Sequence, residues 1–385
     1  MGMNIEQILD DVVKSGKIAG ATAFLGNRNG MISSHVAGLA DPAAGTAMAT
    51  DTIFQIASMT KAITSVAAMQ LVEQGKLTLD APIGALLPAL ADLGVMSGFN
   101  DSGAVTLRPA KRAITLRHLL THTSGLGYPF MSADILRTYA LTGPPAPASL
   151  ASISAPLLFD PGDRWEYGVS TDWVGLAVEA AAGMLLGRYM AEAIFEPLGM
   201  TDTGFTLSTE QMSRRAAMLS RTDNGILTPF PVEIGGGADA EFEGGGGGLM
   251  SSGPDYMRFV RMILNNGALN GITILKPDSV AEMTRNQIGD LRAGAMASVM
   301  PQFSRHYDSF PDMHTGWGLG FLINPEPSKN GRAAGSLAWA GIANSFYWID
   351  PVNDLAGVLM MQILPFADPD ALTLYQAFEQ AAYAR

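Results

Sequence analysis

The chain has 385 residues, of which 24 are Lys or Arg and 36 are Asp or Glu, so its formal net charge is −12. This acidic balance argues against nucleic acid or an anionic membrane surface as the main partner. Cysteine is absent, which excludes disulfides, cysteine nucleophiles and thiolate metal sites, so any catalysis uses oxygen or nitrogen groups. Only 16% of the residues are charged and 48% are apolar, which is typical of a folded protein and excludes disorder for most of the chain.

The sequence shows no pattern of export or membrane insertion. Residues 1–13 lack the basic region and the apolar run of a secretory signal. The most apolar stretches, such as 355–366, are shorter than the roughly 20 residues that a membrane helix needs. We therefore predict a cytoplasmic protein without membrane insertion, in agreement with the missing cysteines.

Apolar periodicity predicts strands at both ends of the chain and helices throughout it. An amphipathic helix comes first, and two strands joined by a hairpin at Asn29-Gly30 follow it. A second helix, a mainly helical region with long loops, an antiparallel meander and a closing helix complete the chain. In order, these elements cover 5–13, 19–25, 31–36, 60–74 and 80–254, then the strands 318–323, 336–339, 345–349 and 355–363, and the helix 370–383.

This arrangement predicts an α+β protein in which an antiparallel sheet is flanked by helices. Because strands and helices at both chain ends bracket a helical middle, the economical solution is one α/β domain built from both termini. That domain would comprise residues 1–79 and 255–385. Residues 80–254 would form an inserted, mainly helical domain with long loops.

The most informative motif is Ser58-Met59-Thr60-Lys61. A serine at the first turn of a helix and a lysine three residues later lie on one face, so their side chains can touch. The lysine can take the serine proton only if its pKa is lowered enough to leave it neutral. The alternative interpretation is a helix N-cap serine beside a solvated lysine. The motif lies between an apolar run, 53–57, and the helix predicted over 60–74, which favours the catalytic interpretation.

Two further segments carry candidate chemistry. Tyr167, which follows the turn Asp160-Pro161-Gly162-Asp163, could pass protons between a nucleophile and a leaving group, or could be a half-buried aromatic residue with a satisfied hydroxyl. The backbone N–H of Ile342 could face that of Ser58 and form an oxyanion hole, with Gly341 allowing close approach, or the segment could be a plain edge strand.

Other motifs are weaker. His118 and His122 have i, i+4 spacing but no glutamate in the position that a zinc protease requires, so a structural pair is expected. We assign no role to His306 and His314. The glycine run 244–248 lacks the Lys-Ser or Lys-Thr of a P-loop. We expect it to be either close-packed backbone near the site or a flexible loop. No serine lies in a G-x-S-x-G elbow.

Taken together, the motifs resemble those of the serine β-lactamase and penicillin-binding-protein superfamily. The chain is similar to the class C β-lactamase branch, and most closely to the family VIII carboxylesterases, from about residue 20 to 363. The resemblance rests on the three elements above in their order and on three further segments: Leu119-Leu120-Thr121-His122-Thr123-Ser124-Gly125-Leu126, Phe159-Asp160-Pro161-Gly162 and Gly246-Gly247-Gly248-Leu249.

This resemblance implies a β-lactamase/transpeptidase-like fold, with the active site in the cleft between the α/β and helical domains. It implies Ser58 as the acylated nucleophile, Lys61 as its activating partner and Tyr167 as the proton-handling residue. The backbone N–H groups of Ser58 and Ile342 would bind the oxyanion. No metal and no organic cofactor is implied.

Two departures from the penicillin-recognising pattern favour an uncharged substrate. Val169 replaces an asparagine that would contact a β-lactam side chain, and Trp339 replaces the lysine that would pair with a β-lactam carboxylate. An apolar wall beside the nucleophile suits a short acyl chain or an aromatic ester. Trp339 and Gly341, with Tyr128 and Phe130, are the predicted substrate-binding residues.

The sequence therefore predicts a serine carboxylesterase that hydrolyses short-chain or aromatic esters through an acyl-enzyme on Ser58. Its partner would be a small-molecule ester. Two alternatives share the acylation chemistry: hydrolysis of a β-lactam such as a cephalosporin, and acyl transfer to an alcohol or amine instead of water. A more remote alternative is a non-catalytic scaffold that keeps the fold. The sequence makes no prediction of oligomeric state.

Overall fold

A computed structural model of the chain describes residues 4–230 and 240–384. Short 3-10 turns occupy Ala57–Met59, Ile83–Ala85, Pro88–Leu90 and Leu150–Ile153, and a π-helical turn occupies Ala191–Phe195. The α-helices are α1 Ile5–Lys14, α2 Thr60–Glu73, α3 Leu116–Leu120, α4 Ala133–Thr138, α5 Ser170–Ala182, α6 Leu186–Met190, α7 Glu196–Leu198, α8 Thr209–Ser213, α9 Gly253–Leu264, α10 Pro277–Thr284 and α11 Pro369–Tyr383.

Strands occur in one large sheet and several short ladders. They are β1 Gly20–Gly26, β2 Met31–Asp41, β3 Thr46–Ala47, β4 Ile53–Gln55, β5 Val95–Phe99, β6 Val105–Arg108, β7 Leu219–Arg221, β8 Leu227–Pro229, β9 Met250–Ser252, β10 Ala268–Leu269, β11 Ile272–Thr273, β12 Ala295–Met296, β13 Tyr307–Asp308, β14 Gly316–Trp317, β15 Leu322–Ile323, β16 Leu337–Gly341, β17 Ser345–Asp350, β18 Leu355–Met360 and β19 Ile363–Leu364.

The main sheet is built from both ends of the chain. Its eight strands follow the order β14-β15-β16-β17-β18-β1-β2-β3, and each neighbouring pair is antiparallel. The two chain ends meet where β1 pairs with β18, with Thr22 opposite Met360. Every residue of β17 and β18 is buried, so helices cover both faces of the sheet centre. This confirms the α+β fold with an antiparallel sheet flanked by helices.

Most predicted elements agree with the structure to within a few residues, but two predicted strands do not. The run 318–323 contains a turn in which the Gly318 N–H donates to the Phe321 carbonyl, and Gly320 has a φ of 99°. The run 355–363 ends at Met360, and Ile363 pairs instead in parallel with Leu219. Both runs are buried and, apart from Gln362, contain only apolar residues and glycine, and apolar character alone does not reveal where a buried strand turns.

Helix α2 differs from an ordinary amphipathic helix in its burial. Every residue of 60–71 is buried, so the helix passes through the protein interior instead of lying on its surface. A lysine in the first turn of such a helix is forced into the interior. This placement brings Lys61, which the sequence singled out, into a region with little access to water.

The middle of the chain is not purely helical. It also contributes β5 to β9, of which β9 pairs with β4 and β7 pairs with β19. The division into a domain of 1–79 with 255–385 and an inserted domain of 80–254 stays a prediction. Among the residues described, no single helix is long and apolar enough to cross a membrane; one bent pair, Ser170–Ala182 with Leu186–Leu198, qualifies by length and composition only.

Candidate active site

Ser58 lies in the 3-10 turn that joins β4 to the N-terminus of α2. The residue before it, Ala57, has a φ of 45°, a left-handed conformation that is uncommon for a residue with a side chain. Such a conformation costs on the order of 1–3 kcal/mol, and strained residues of this kind cluster at active sites. The strained turn presents Ser58 to two cavities that meet at its side chain.

Lys61 is only 1% exposed and directs its ammonium at three acceptors. Its Nζ donates to Ser58 Oγ at 3.2 Å and to the Tyr128 hydroxyl at 3.0 Å, and it also donates to the Gly246 carbonyl. A lysine ammonium has three N–H donors and no acceptor. The surroundings of Lys61 therefore match its protonated form.

The electrostatics of the site also favour the protonated form of Lys61. Burial by itself lowers the pKa of Lys61, but attraction to Tyr128, Tyr167 and Asp172 outweighs burial and raises the pKa above the ordinary lysine value. A lysine that takes up the serine proton, as predicted from the motif, needs the opposite, a pKa low enough to leave it neutral. In the resting site Lys61 is a charged hydrogen-bond donor to Ser58.

Tyr167 packs its ring, not its hydroxyl, against the lysine. The ring centroid lies 4.9 Å from Lys61 Nζ, and the hydroxyl accepts a hydrogen bond from Trp339 Nε1 at 3.0 Å. The structure thus brings together the predicted residues Ser58, Lys61 and Tyr167, and it adds a direct contact between Tyr167 and Trp339. Both aromatic residues line a cavity that reaches Ser58.

Tyr128, which the sequence suggested only as a wall residue, reaches the ammonium with its hydroxyl. Its ring centroid also lies 5.3 Å from Lys61 Nζ. Burial raises the pKa of Tyr128 despite the nearby lysine, so its hydroxyl keeps its proton at neutral pH. Tyr128 is thus a positioning residue for Lys61.

Sequence reasoning missed Asp172. Its Oδ1 accepts from the Gly246 N–H at 2.8 Å, and the carbonyl of the same glycine accepts from Lys61. A Cβ on Gly246 would lie 2.5 Å from the Asp172 carboxylate, so the glycine run is close-packed backbone at the site. Burial raises the pKa of Asp172, while Lys61 opposes that shift. An aspartate in the first turn of a helix is so common that the sequence offered no signal.

His122 supports Tyr167 from behind. Its ring centroid lies 4.8 Å from that of Tyr167 and 5.3 Å from that of Trp317. Burial, followed by the charge of Lys61, holds the pKa of His122 well below the ordinary histidine value, so the imidazole is neutral. His118 instead caps α3. Over residues 4–230 and 240–384 no group of three or more metal-ligating side chains occurs.

The backbone around Gly341 passes close to the turn that carries the nucleophile. β16 ends at Gly341, and a Cβ on this glycine would lie 2.5 Å from the Ile56 carbonyl, so the end of β16 passes directly against the segment that precedes Ser58. Ile342 follows immediately and lines the same two cavities as Ser58. This geometry fits the predicted oxyanion hole.

We expect Gly341→Ala to lower kcat/KM by about 100-fold, the effect of losing one oxyanion donor. The new methyl group would meet a backbone carbonyl, which has no rotamer to change, so the Ile342 N–H would be displaced. The measurement is cleavage of a p-nitrophenyl ester together with thermal melting. Gly30→Ala is the matched control, because nothing lies within 4 Å of a Cβ there. Equal activity of the two variants would refute the assignment.

Two cavities meet at Ser58 and Ile342. The first, which we call the aromatic pocket, has a wall that includes Phe130, Tyr307, Phe310, Trp339, Phe346 and Phe366. The second, which we call the outer cleft, has a wall that includes Tyr128, Pro129, Pro147, Ile153 and Phe242. The predicted substrate-binding residues Tyr128, Phe130, Trp339 and Gly341 all line one or both cavities.

Comparison with known protein families identifies the family of the chain. The sequence model of the Beta-lactamase family matches residues 5–382. The chain belongs to this family. The match covers nearly the whole sequence, and it confirms both the resemblance drawn from the motifs and the β-lactamase/transpeptidase-like fold.

Relatives within the family act on esters and acyl groups, as their names state. Monacolin J acid methylbutanoyltransferase of Aspergillus terreus is 34% identical over 353 residues, which cover 87% of this chain and 83% of that enzyme. Lovastatin esterase of Penicillium rubens is 34% identical over 349 residues, which cover 87% of this chain and 86% of the esterase. A solved structure of a mutant simvastatin synthase from Aspergillus terreus has a TM-score of 0.85 and 31% identity, covering 99% of this chain and 96% of that one. The protein is a β-lactamase-fold serine enzyme with esterase and acyltransferase relatives.

Proposed function

We propose that this protein is a serine acyltransferase and esterase that acts on uncharged small-molecule esters. The acyl group of the ester would be carried on Ser58 and passed to an alcohol, or to water when no alcohol is bound. The observation that carries the proposal is that two cavities are lined by Ser58, so the two parts of a bound ester, its acyl group and its alcohol, can each be assigned to one of them. The predicted cytoplasmic location is part of this proposal.

The reaction would proceed in two steps, acylation of Ser58 and transfer of the acyl group from Ser58 to an alcohol or water. Ser58 Oγ bonds to the ester carbonyl carbon, and its proton passes to the Nζ of a Lys61 that is in its neutral form, from which the Tyr167 hydroxyl would relay a proton to the leaving oxygen. The carbonyl electrons form an oxyanion that the Ser58 and Ile342 N–H groups would bind. The oxyanion collapses, the carbon–oxygen bond to the leaving alcohol breaks, and that alkoxide takes up the proton. A second alcohol, or water, then attacks the acyl-enzyme by the reverse sequence.

The position of Tyr167 orients the substrate. A group that protonates the leaving oxygen must lie within hydrogen-bond reach of it. Tyr167 lines the aromatic pocket, so we place the alcohol portion of the ester in that pocket and the acyl group in the outer cleft. An incoming alcohol would use the same pocket, because attack on the acyl-enzyme reverses departure.

The names of the relatives support acyl transfer beside plain hydrolysis, because they include both a methylbutanoyltransferase and an esterase.

Hydrolysis of β-lactams is the less favoured use of this site. Trp339 stands where the resemblance places a lysine and lines the aromatic pocket, and Val169 lines the outer cleft where an asparagine is expected. Val169 has no hydrogen-bonding group for a side-chain amide. Trp339 has no positive charge to pair with a carboxylate, and its Nε1–H already donates to the Tyr167 hydroxyl.

The test is a competition between acceptors. A p-nitrophenyl ester is incubated with the protein and a fixed concentration of either ethanol or 1-hexanol, and the new ester and the free acid are both quantified. The alcohols are similar nucleophiles, but hexanol buries more apolar surface, so the proposal expects a larger share of ester with hexanol. Free acid alone with both alcohols would show a plain esterase. Absence of any turnover would refute the proposal as a whole.

A pH profile tests the proposed proton-handling group. Because the pKa of Lys61 is raised, the ammonium persists through neutrality, and the form that can accept the Ser58 proton gains population only as pH rises. We therefore expect kcat/KM to increase between about pH 7 and about pH 10.

In Tyr128→Phe that increase should begin at lower pH. The hydroxyl accepts a hydrogen bond from the ammonium, which helps to raise the pKa of Lys61, and the variant loses this bond. The maximal rate should fall by about tenfold, the worth of a hydrogen bond to a charged group. Tyr139→Phe, outside both cavities, is the control for the loss of a hydroxyl. An unchanged profile in Tyr128→Phe would show that Tyr128 does not position Lys61.

A further inference from the structure

The aromatic pocket contains one charged side chain, Arg332, which is 4% exposed. Its Nε donates to Glu379 Oε1 at 2.7 Å, and its Nη2 donates to Glu379 Oε2 at 3.1 Å and to the Tyr375 hydroxyl at 3.2 Å. Among the described residues, the fully buried Nη1 has no hydrogen-bond partner. Buried donors without a partner are rare in folded proteins, because each loses the hydrogen bonds it made with water.

The neighbouring aromatic ring does not supply the hydrogen-bond acceptor that Arg332 Nη1 lacks. The Arg332 Cζ lies 5.0 Å from the centroid of the Phe310 ring, which stabilises the positive charge. An aromatic face accepts an N–H only weakly, so it does not replace an oxygen acceptor for Nη1. Within the part of the chain that the structure describes, Nη1 therefore lacks an oxygen acceptor, and the aromatic pocket is a cavity that connects the Arg332 side chain with Ser58.

Arg332 and Ser58 lie at opposite ends of β16. The residue after Arg332, Ala333, donates its N–H to Asp350 at the end of β17, and this end of β17 pairs with Leu337 at the start of β16. The other end of β16, at Gly341, lies against the turn that carries Ser58. The pocket lining follows this strand from Ile342 to Ala338, a length of about 13 Å at roughly 3.3 Å per residue. A molecule with its reacting oxygen at Ser58 would reach Arg332 only with a remote part.

The charge of Arg332 is already neutralised. Glu379 is buried and takes two of the guanidinium hydrogen bonds, and Ser328 and Asn330 also donate to its carboxylate. A second carboxylate would add a negative charge to a pocket with no further cation among its lining residues, which is costly. An uncharged acceptor would satisfy Nη1 without this penalty.

We infer that the aromatic pocket selects alcohols that carry a second, uncharged oxygen acceptor far from the reacting hydroxyl, and that Arg332 Nη1 binds this oxygen. The acceptor would be a ketone, ester, ether or hydroxyl oxygen at the end of an otherwise apolar alcohol. The inference rests on the proposed function, since it specifies the alcohol that occupies the pocket. It makes Arg332 a specificity-determining residue with no part in bond making.

The first test measures binding without turnover. Calorimetric titration of the wild-type protein compares linear alcohols of equal length, either fully saturated or with one methylene replaced by a ketone, and the position of the ketone is moved along the chain. We expect about tenfold tighter binding at one remote ketone position, the effect of a new hydrogen bond to a charged donor. A matching alcohol with a terminal carboxylate should bind more weakly than the ketone.

The second test uses variants. Arg332→Lys keeps a positive charge beside Glu379 but lacks the planar fork, so the ketone preference should disappear. Tyr375→Phe removes a partner of Nη2 and leaves Nη1 unchanged, so the preference should persist. If Arg332→Lys does not fold, the titrations of the wild-type protein with ketone and saturated alcohols are sufficient to test the inference.

The results that would overturn the inference are equal binding of ketone and saturated alcohols at every position, tighter binding of the carboxylate, or a preference that survives in Arg332→Lys. Acetate esters of the same alcohols then show whether the preference appears in KM and leaves kcat unchanged. Failure of every ester to react would count against the proposed function and not against the binding result.

Discussion

Ser58→Ala is expected to lower kcat for ester cleavage by roughly a million-fold, as in serine hydrolases whose nucleophile is removed. The alanine retains the backbone N–H of the oxyanion hole but has no oxygen that can bond to the carbonyl carbon. The remaining rate would come from binding and from the oxyanion hole alone. The measurement is nitrophenol release from a p-nitrophenyl ester under saturating substrate, corrected for spontaneous hydrolysis.

A second serine provides the matched control. Ser152 also lines the outer cleft, but its hydroxyl donates to the Ser149 carbonyl at 2.6 Å and does not contact Lys61. Ser152→Ala should keep kcat within a few-fold of the wild type. If Ser58→Ala and Ser152→Ala release nitrophenol equally, Ser58 is not the nucleophile.

Lys61→Met is expected to lower kcat by about 1,000-fold, within the range contributed by a positioned acid or base. Methionine has a similar length but supplies no N–H donor for Ser58 Oγ, Tyr128 or the Gly246 carbonyl. The buried Asp172 then loses the positive charge that lowers its pKa, and we expect it to take up a proton and remain folded as a neutral acid.

Lys61→Arg distinguishes charge from geometry. The guanidinium keeps a positive charge, but its planar fork cannot reproduce the three contacts of a compact ammonium, so activity should stay low. Melting temperatures of both variants show whether the loss reflects unfolding. A Lys61→Met protein that is folded and within tenfold of the wild-type kcat would contradict the role assigned to Lys61.

The sequence allowed the fold and the three central side chains to be predicted because their signals are local. Ser58 and Lys61 are three residues apart, so helical geometry alone brings their side chains together. The β1–β2 hairpin and helices α1, α2 and α11 have periodic apolar patterns that need no tertiary information. The superfamily resemblance supplied the role of Tyr167, which lies more than a hundred residues from either of them.

The rest depended on contacts between distant segments. Asp172 reaches Lys61 only through Gly246, and no pattern in the sequence connects these three positions. The raised pKa of Lys61 is the balance of burial against charges from three other segments, so the motif alone could not give its sign. The unpaired donor of Arg332 depends on which of its five N–H groups Glu379 and Tyr375 leave free.

The acyl-enzyme on Ser58 can be tested most directly by mass spectrometry. The wild-type protein is mixed briefly with a p-nitrophenyl ester, quenched in acid, and analysed as intact protein and as peptides. We predict a mass increase of one acyl group, located on the peptide that contains Ser58 and absent from Ser58→Ala. Rapid nitrophenol release by both proteins, with no adduct on that peptide, would contradict covalent catalysis by Ser58.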